Sequence, residues 1–222
     1  AMREMFESDL KEDYENLEVM FLHVQQGQAF QNKGYSVRKP EDLRGKRVRV
    51  PSRTGAWVLE ELGAKTVSVP VTRIPQTLQR NIATTVLIPF NVQPLLGLNQ
   101  HISSFTEGYE QTCFGSVVFQ VSMNKDKWES LPPEIQAAFR KASDENFLRR
   151  IGKLWREDEQ RGVDLMKKFK REHIVLTKEE TEAFRIKLET VIDKWVEDVK
   201  KEGIDGRKLV NKARKLIKKY EE

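Results

Sequence analysis

Apolar side chains recur at helical spacing in Met5, Phe6, Leu10, Tyr14 and Leu17, and a dense apolar run follows from Val19 to Val24. The first pattern predicts a helix over residues 5–17 and the second a buried strand. Lys46 to Val50 is a further strand, after which Pro51-Ser52-Arg53-Thr54 leads into a helix over 55–62 stopped by Gly63, a natural C-cap. Lys65 to Val69 alternates polar and apolar residues and ends at Pro70, so it reads as a strand. Strand, helix and strand at this spacing make a βαβ unit.

A short helix around Leu78, a β-branched run from Thr85 to Ile88 closed by Pro89, and strands over 101–105 and 117–123 continue the pattern. Then the character changes. Leu131-Pro132-Pro133-Glu134 starts a helix where absent N–H groups do no harm. Apolar positions from Ile135 through Phe139, Phe147, Ile151, Leu154 and Trp155 to Phe169 predict one long helix, with a bend at Gly162. His173 to Leu176 is a short strand, and Thr177-Lys178-Glu179-Glu180 matches a capping box. The helix it launches has Phe184, Leu188, Val191, Ile192, Trp195 and Val199 on its apolar face and Gly203 as its stop. A last helix, 207–220, buries Leu209, Val210, Ala213, Leu216 and Ile217, and its many basic residues read as a solvated face. The chain is thus α/β in front and helical behind.

Composition narrows the function classes. With 222 residues, 38% of them hydrophobic, the chain fits one large domain or two small lobes with a sizeable core. The 39 basic and 34 acidic residues nearly balance, and a net charge of +5 argues against a nucleic-acid binder. No apolar window is long enough to span a membrane, and the N-terminus shows no signal-peptide pattern. Cys113 is the single cysteine, which excludes an intrachain disulfide and a cysteine-based metal cluster. His23, His101 and His173 stand in no metal-ligand spacing, and no phosphate cradle or nucleophile elbow is present. No metal, no cofactor and no catalytic activity are expected.

One residue runs against its surroundings: the strand ending at Val50 carries Arg49 between two valines. A guanidinium in an apolar strand is costly unless an anion meets it, so Arg49 is the leading ligand-gripping candidate. The alternative is a core-edge arginine paired to an internal Asp or Glu.

D-L-R-G-K-R-V-R-V-P-S at 42–52 and L-E-E-L-G-A-K-T-V-S-V-P at 59–70 closely resemble the solute-binding proteins of tripartite ATP-independent periplasmic (TRAP) transporters, the DctP family. M-N-K-D-K-W-E-S-L-P-P-E-I at 123–135 is similar to a second signature of that family, and the G-I-D-G at 203–206 and the capped helix with Trp195 also fit. The resemblance implies an α/β, periplasmic-binding-protein-like two-lobe architecture with a long interlobe helix. It implies a periplasmic protein that captures a small organic acid for TRAP membrane subunits. A ligand-sensing protein, or an interaction module built on the helical C-terminal half, is the alternative.

In the family, the arginine of a G-x-K-x-R-x-P strand holds the ligand carboxylate, and it matches Arg49. Ile88-Pro89-Phe90-Asn91 falls where members place cleft residues, so Ile88, Phe90 and Asn91 are implied as contacts, with Phe90 as an apolar wall and Asn91 as a polar one. Plain packing is the other reading of Phe90. Ser52, directly after the strand, completes the implied set. Two departures matter: Ile82-Ala83-Thr84-Thr85 lacks the family's turn acid and glycine, and Gly27-Gln28-Ala29-Phe30 stands where some members carry a second arginine. A single arginine suits a monocarboxylate with an apolar tail. Family members also carry a longer front portion. Lobe one, residues 1–24 and 117–157, is therefore expected to be incomplete and to favour a homodimer, with lobe two at 25–116 and a C-terminal helical segment at 158–222.

Overall fold

The computed structural model describes residues 1–220. In chain order the elements are α1 (Met2–Met5), β1 (Leu17–Val24), β2 (Ala29–Asn32), β3 (Arg47–Val50), α2 (Arg53–Glu61), β4 (Lys65–Ser68), α3 (Ile74–Gln79), β5 (Thr85–Ile88), α4 (Val92–Leu96) and β6 (Ser104–Glu107). They continue as β7 (Val118–Asn124), α5 (Lys125–Glu129), α6 (Pro133–Ala142), α7 (Glu145–Lys168), β8 (Glu172–Val175), α8 (Lys178–Lys200) and α9 (Gly206–Lys219). The chain divides into two units, one of residues 1–25, 117–154 and 195–222, the other of residues 26–116 and 155–194.

The second unit is built on a sheet ordered β4-β3-β5-β2-β6-β8, in which β2 alone runs against the rest. Alternate residues feed its two faces. Phe30, Val48, Val50, Leu87 and Ile174 pack on one face with Leu59 of α2 and Phe184 of α8. Ala29, Val86, Ile88 and Phe105 pack on the other with Ile74 and Leu78 of α3 and Val163 and Met166 of α7. Coverage of both faces explains why all four residues of β5 are buried and why its sequence is a continuous apolar run. The predicted βαβ unit is β3-α2-β4, its two strands parallel from Arg47↔Lys65 to Val50↔Ser68.

In the first unit β1 and β7 form an antiparallel ribbon with a bulge between Val19 and Phe21. Glu18 on β1 takes ion pairs from Arg140 of α6 and from Lys125 of α5 at 3.7 Å. Helix α9 is tied to the N-terminal segment by Lys212 on Asp9 at 2.6 Å and Lys219 on Glu4 at 2.8 Å. Val24, Val118, Phe119 and Val121 on the ribbon are all more than two-fifths exposed. Among the described residues no helix is long and apolar enough to cross a membrane.

Three expectations are corrected. The predicted helix over 5–17 is broken into α1, a π-turn (Phe6–Leu10) and a 3-10 turn (Lys11–Tyr14), and Leu17 already belongs to β1. Ser8 Oγ donates to the Glu4 carbonyl at 2.6 Å, the kind of back-bond that distorts a helix. The long helix over 135–169 is two: α6 ends at Ser143, and Asp144 restarts the chain by accepting the Phe147 amide at 2.8 Å. Gly162 is a buried residue inside α7, which continues through it to Lys168. The strand expected at 101–105 is β6 at Ser104–Glu107, because His101 closes a turn on the Leu98 carbonyl at 2.9 Å.

The capping box is formed as expected: Glu180 N donates to Thr177 Oγ1 at 3.1 Å, and Thr177 N to Glu180 Oε2 at 2.8 Å. Thr177→Ala removes one half of it and is expected to lower stability by about 1 kcal/mol. Urea unfolding should show a reduced midpoint with an unchanged slope.

Candidate functional site

Because β3, β4, β5, β6 and β8 all run one way, their C-terminal ends emerge at one edge of the sheet, and the reversed β2 brings its start, Gln28 and Ala29, to the same edge. In open α/β sheets that edge is where ligands bind. Here it gathers Pro51 and Ser52 after β3, Val69 after β4, the run Pro89-Phe90-Asn91 after β5, and Glu107 at the end of β6.

Gly45, at φ +71°, makes the turn that delivers the chain into β3, and its amide donates to the Gly63 carbonyl at 2.8 Å. Strand register then fixes Arg49 opposite Val67 and Val86. The row continues through Gln31 and Phe105 to His173, so Arg49 projects to the face that carries Val86 and Phe105. Arg49 is only 5% exposed. Its Nε donates to the Val69 carbonyl at 3.2 Å, and among the described residues no carboxylate lies within ion-pair distance of it. Among the described residues Arg49 has no internal acid of the kind that the alternative reading needs. Burial pulls the guanidinium below its ordinary value, yet arginine stays cationic at any relevant pH.

Ile88, Phe90 and Asn91 follow one another out of β5. Ile88 is core, and its carbonyl accepts Gln31 Nε2 at 3.0 Å. Phe90 is also core, set edge-to-face on Phe105 at 5.0 Å between centroids. Asn91 is buried, with Nδ2 on Asp158 at 3.4 Å and Oδ1 without a protein partner. Ser52 is exposed and caps α2, its Oγ accepting the Gly55 amide at 3.1 Å. The structure thus places Ile88, Phe90 and Asn91 side by side at the edge, and Ser52 three residues beyond Arg49.

Further buried polar groups lie outside the predicted set of site residues. Gln28 Oε1, Gln31 Oε1 and both side-chain polar atoms of Gln93 are buried without a hydrogen-bond partner. Glu107 is buried against His173 Nε2 at 2.7 Å. Glu159 arrives from α7 and accepts the amides of Phe90 and Asn91, both at 2.9 Å. Buried polar groups without partners are costly, so each of these atoms calls for an ordered water or a ligand atom to complete its hydrogen bonding. The signal for Gln28 and Gln31 would have been the strand β2, whose Gln31 and Asn32 break any apolar pattern. A cavity of about 320 Å³ in the first unit, walled by Phe6, Val19, Phe21, Arg140 and Leu148, includes none of the predicted site residues. Among the described residues no three His, Cys, Asp or Glu side chains gather as a metal ion would require.

Residues 2–198 match the family model for bacterial extracellular solute-binding protein, family 7. A TRAP solute-binding protein from Rhodoferax ferrireducens, crystallised with copurified benzoate, is 25% identical and superposes with a TM-score of 0.92 over 97% of this chain and 67% of its own. A marine-metagenome TRAP protein specific for aromatic acid ligands, bound to 3-hydroxybenzoate, is 23% identical with a TM-score of 0.94 over 100% of this chain and 69% of its own. A Bordetella bronchiseptica TRAP protein with bound mandelate is 20% identical with a TM-score of 0.85, covering 97% of this chain and 69% of its own.

Proposed function

The chain belongs to the bacterial extracellular solute-binding protein family 7, and from that membership we propose that Arg49 grips the carboxylate of a small monocarboxylic acid with an apolar, aromatic body. The protein is a solute-binding protein and not an enzyme. In this reading it works in the periplasm and hands its ligand to TRAP membrane subunits. Residues 25–116 form the gripping lobe, with Ile88 and Phe90 as apolar wall and Asn91 and Ser52 as polar contacts.

The observation that carries the reading is a buried cation that no acid in the described residues neutralises. A planar guanidinium can make two parallel bonds to a carboxylate, which repays its desolvation as no neutral partner would. Of the other buried polar groups at the edge, Glu107 is held by His173 and Gln28 and Asn91 are neutral, so among the described residues no second buried arginine or lysine meets a dicarboxylate there. The benzoate of the Rhodoferax relative is the class of ligand that this arrangement suits.

Calorimetric titration with benzoate, its neutral analogue benzamide and the dicarboxylate succinate tests the proposal. Benzoate is expected to bind with Kd of about 1 µM or tighter, benzamide and succinate at least ~100-fold more weakly. Equal affinity for benzoate and benzamide would remove the charge from the recognition and with it the role of Arg49. A homodimer belongs to the same reading, and the molecular mass in solution decides it.

A further inference from the structure

Helix α7 supplies a carboxylate for which the packing of the sheet has no need. Glu159 lies half-buried in the second unit, one turn before Gly162, where α7 comes down on the Phe90 carbonyl. Its two oxygens divide between two successive amides, Oε1 accepting from Phe90 and Oε2 from Asn91. Strand β5 has ended at Ile88, so no neighbouring strand pairs these amides. A carboxylate that takes two adjacent backbone N–H groups fixes the peptide planes between them.

We propose that Glu159 is a proton-responsive positioning residue: ionised, it clamps the backbone of Phe90 and Asn91 in the conformation that offers their side chains to the ligand of Arg49, and protonation loosens the clamp. The clamp stands on geometry alone, whereas its effect on affinity rests on the carboxylate-binding reading above.

The charge of Glu159 is finely balanced. Burial disfavours the ion, the two amides favour it, and Glu107 and Asp158 add repulsion, so that the carboxyl is pushed up to about 7. Glu107 on β6 holds His173 of β8, and Asp158 on α7 holds Arg161 at 3.7 Å. Cys113, in the loop after β6, has its thiol pushed up to about 11, chiefly by burial and then by Glu107 and Glu159, and it stays neutral. Residues 85–99, which carry the two amides, include no charged side chain. Among the described residues no lysine or arginine pairs with Glu159.

A carboxyl held above its ordinary value binds its proton longer in the fold than in the unfolded chain, so its stabilising contribution is complete below the ordinary carboxylate value and is lost as pH rises through about 7. The clamp tightens over the same interval, because the ion is the stronger acceptor.

The first arm of the test needs no ligand. NMR shifts of the Phe90 and Asn91 amides, followed from about pH 5.5 to about pH 8.5, are expected to titrate together with a midpoint near 7 in the wild type and to lose that titration in Glu159→Gln. Wild-type amide shifts that stay flat overturn the clamp, and that measurement stands even where the variant does not fold. The second arm is calorimetry with benzoate, whose own carboxyl stays ionised throughout. Its affinity is expected to fall about tenfold from the alkaline to the acid end in the wild type and to become independent of pH in Glu159→Gln. Amides that titrate beside a benzoate affinity that does not would overturn the positioning role and leave the carboxylate reading intact. No benzoate binding at any pH would instead overturn that reading, and the amide titration would still decide the clamp.

Discussion

Arg49→Ala is expected to lower benzoate affinity by about 100-fold or more while leaving the free protein as stable as the wild type or more so. Truncating one side of a buried, hydrogen-bonded charge pair costs about 2–5 kcal/mol of binding, which sets the size of the loss. The second half of the prediction separates a ligand grip from a structural arginine. In the free protein the guanidinium is desolvated, and among the described residues it donates to the Val69 carbonyl. Removing it relieves a buried charge and breaks no ion pair, so thermal denaturation should show no loss. Arg49→Lys keeps the charge but loses the planar fork, and an affinity between the two is expected. Binding by Arg49→Ala equal to that of the wild type would discard the assignment. A large drop in its melting temperature would make the residue structural instead.

Gly162→Ala is expected to destabilise the protein by about 3 kcal/mol or more, although alanine is the better helix former by about 1 kcal/mol. A Cβ at Gly162 would lie 2.1 Å from the Phe90 carbonyl oxygen and 2.4 Å from its carbon, both backbone atoms that cannot swing aside. Either α7 lifts off the sheet or the exit of β5 moves, and both disturb the packing of Val163 and Met166. The same helix contains its own control. A Cβ at Gly152 meets nothing within 4 Å, so Gly152→Ala should be neutral or stabilise by up to about 1 kcal/mol. Chemical denaturation of the two variants side by side makes the comparison, and similar behaviour of both would refute the close approach.

Local signals were legible where one stretch of chain carries the whole cause. The βαβ unit of β3, α2 and β4 is set by a glycine turn, a serine cap and a short strand within a few dozen residues. The box of Thr177 and Glu180 is local too. Features that depend on distant partners were not legible. β2 is four residues long, half of them polar, and it is a strand because Asn32 meets Thr85 and Ser104 from two neighbours. The break at Ser143 hides inside an unbroken apolar periodicity, and only Asp144, an ordinary capping residue, marks it. At the site the same division holds. Arg49 stood out because its own strand made it anomalous, whereas nothing near Glu159 in the sequence distinguishes it from the other acids of α7. Its meaning comes from the amides of Phe90 and Asn91, which fold back to it from 69 and 68 residues earlier.

The lone antiparallel strand in the middle of the sheet also constrains the order in which the protein can fold. β2 is made early, but both of its neighbours are made late: Gln31 finds the Ile88 carbonyl 57 residues on, and Asn32 finds Ser104 72 residues on. Loops of that length close slowly, and sheets rich in them fold slowly. The β3-α2-β4 unit can form from nearby chain, but it cannot be joined to β6 and β8 until β2 is captured between β5 and β6. Until β5 and β6 are made, the polar atoms of Gln31 and Asn32 have none of the partners that they take in the folded sheet.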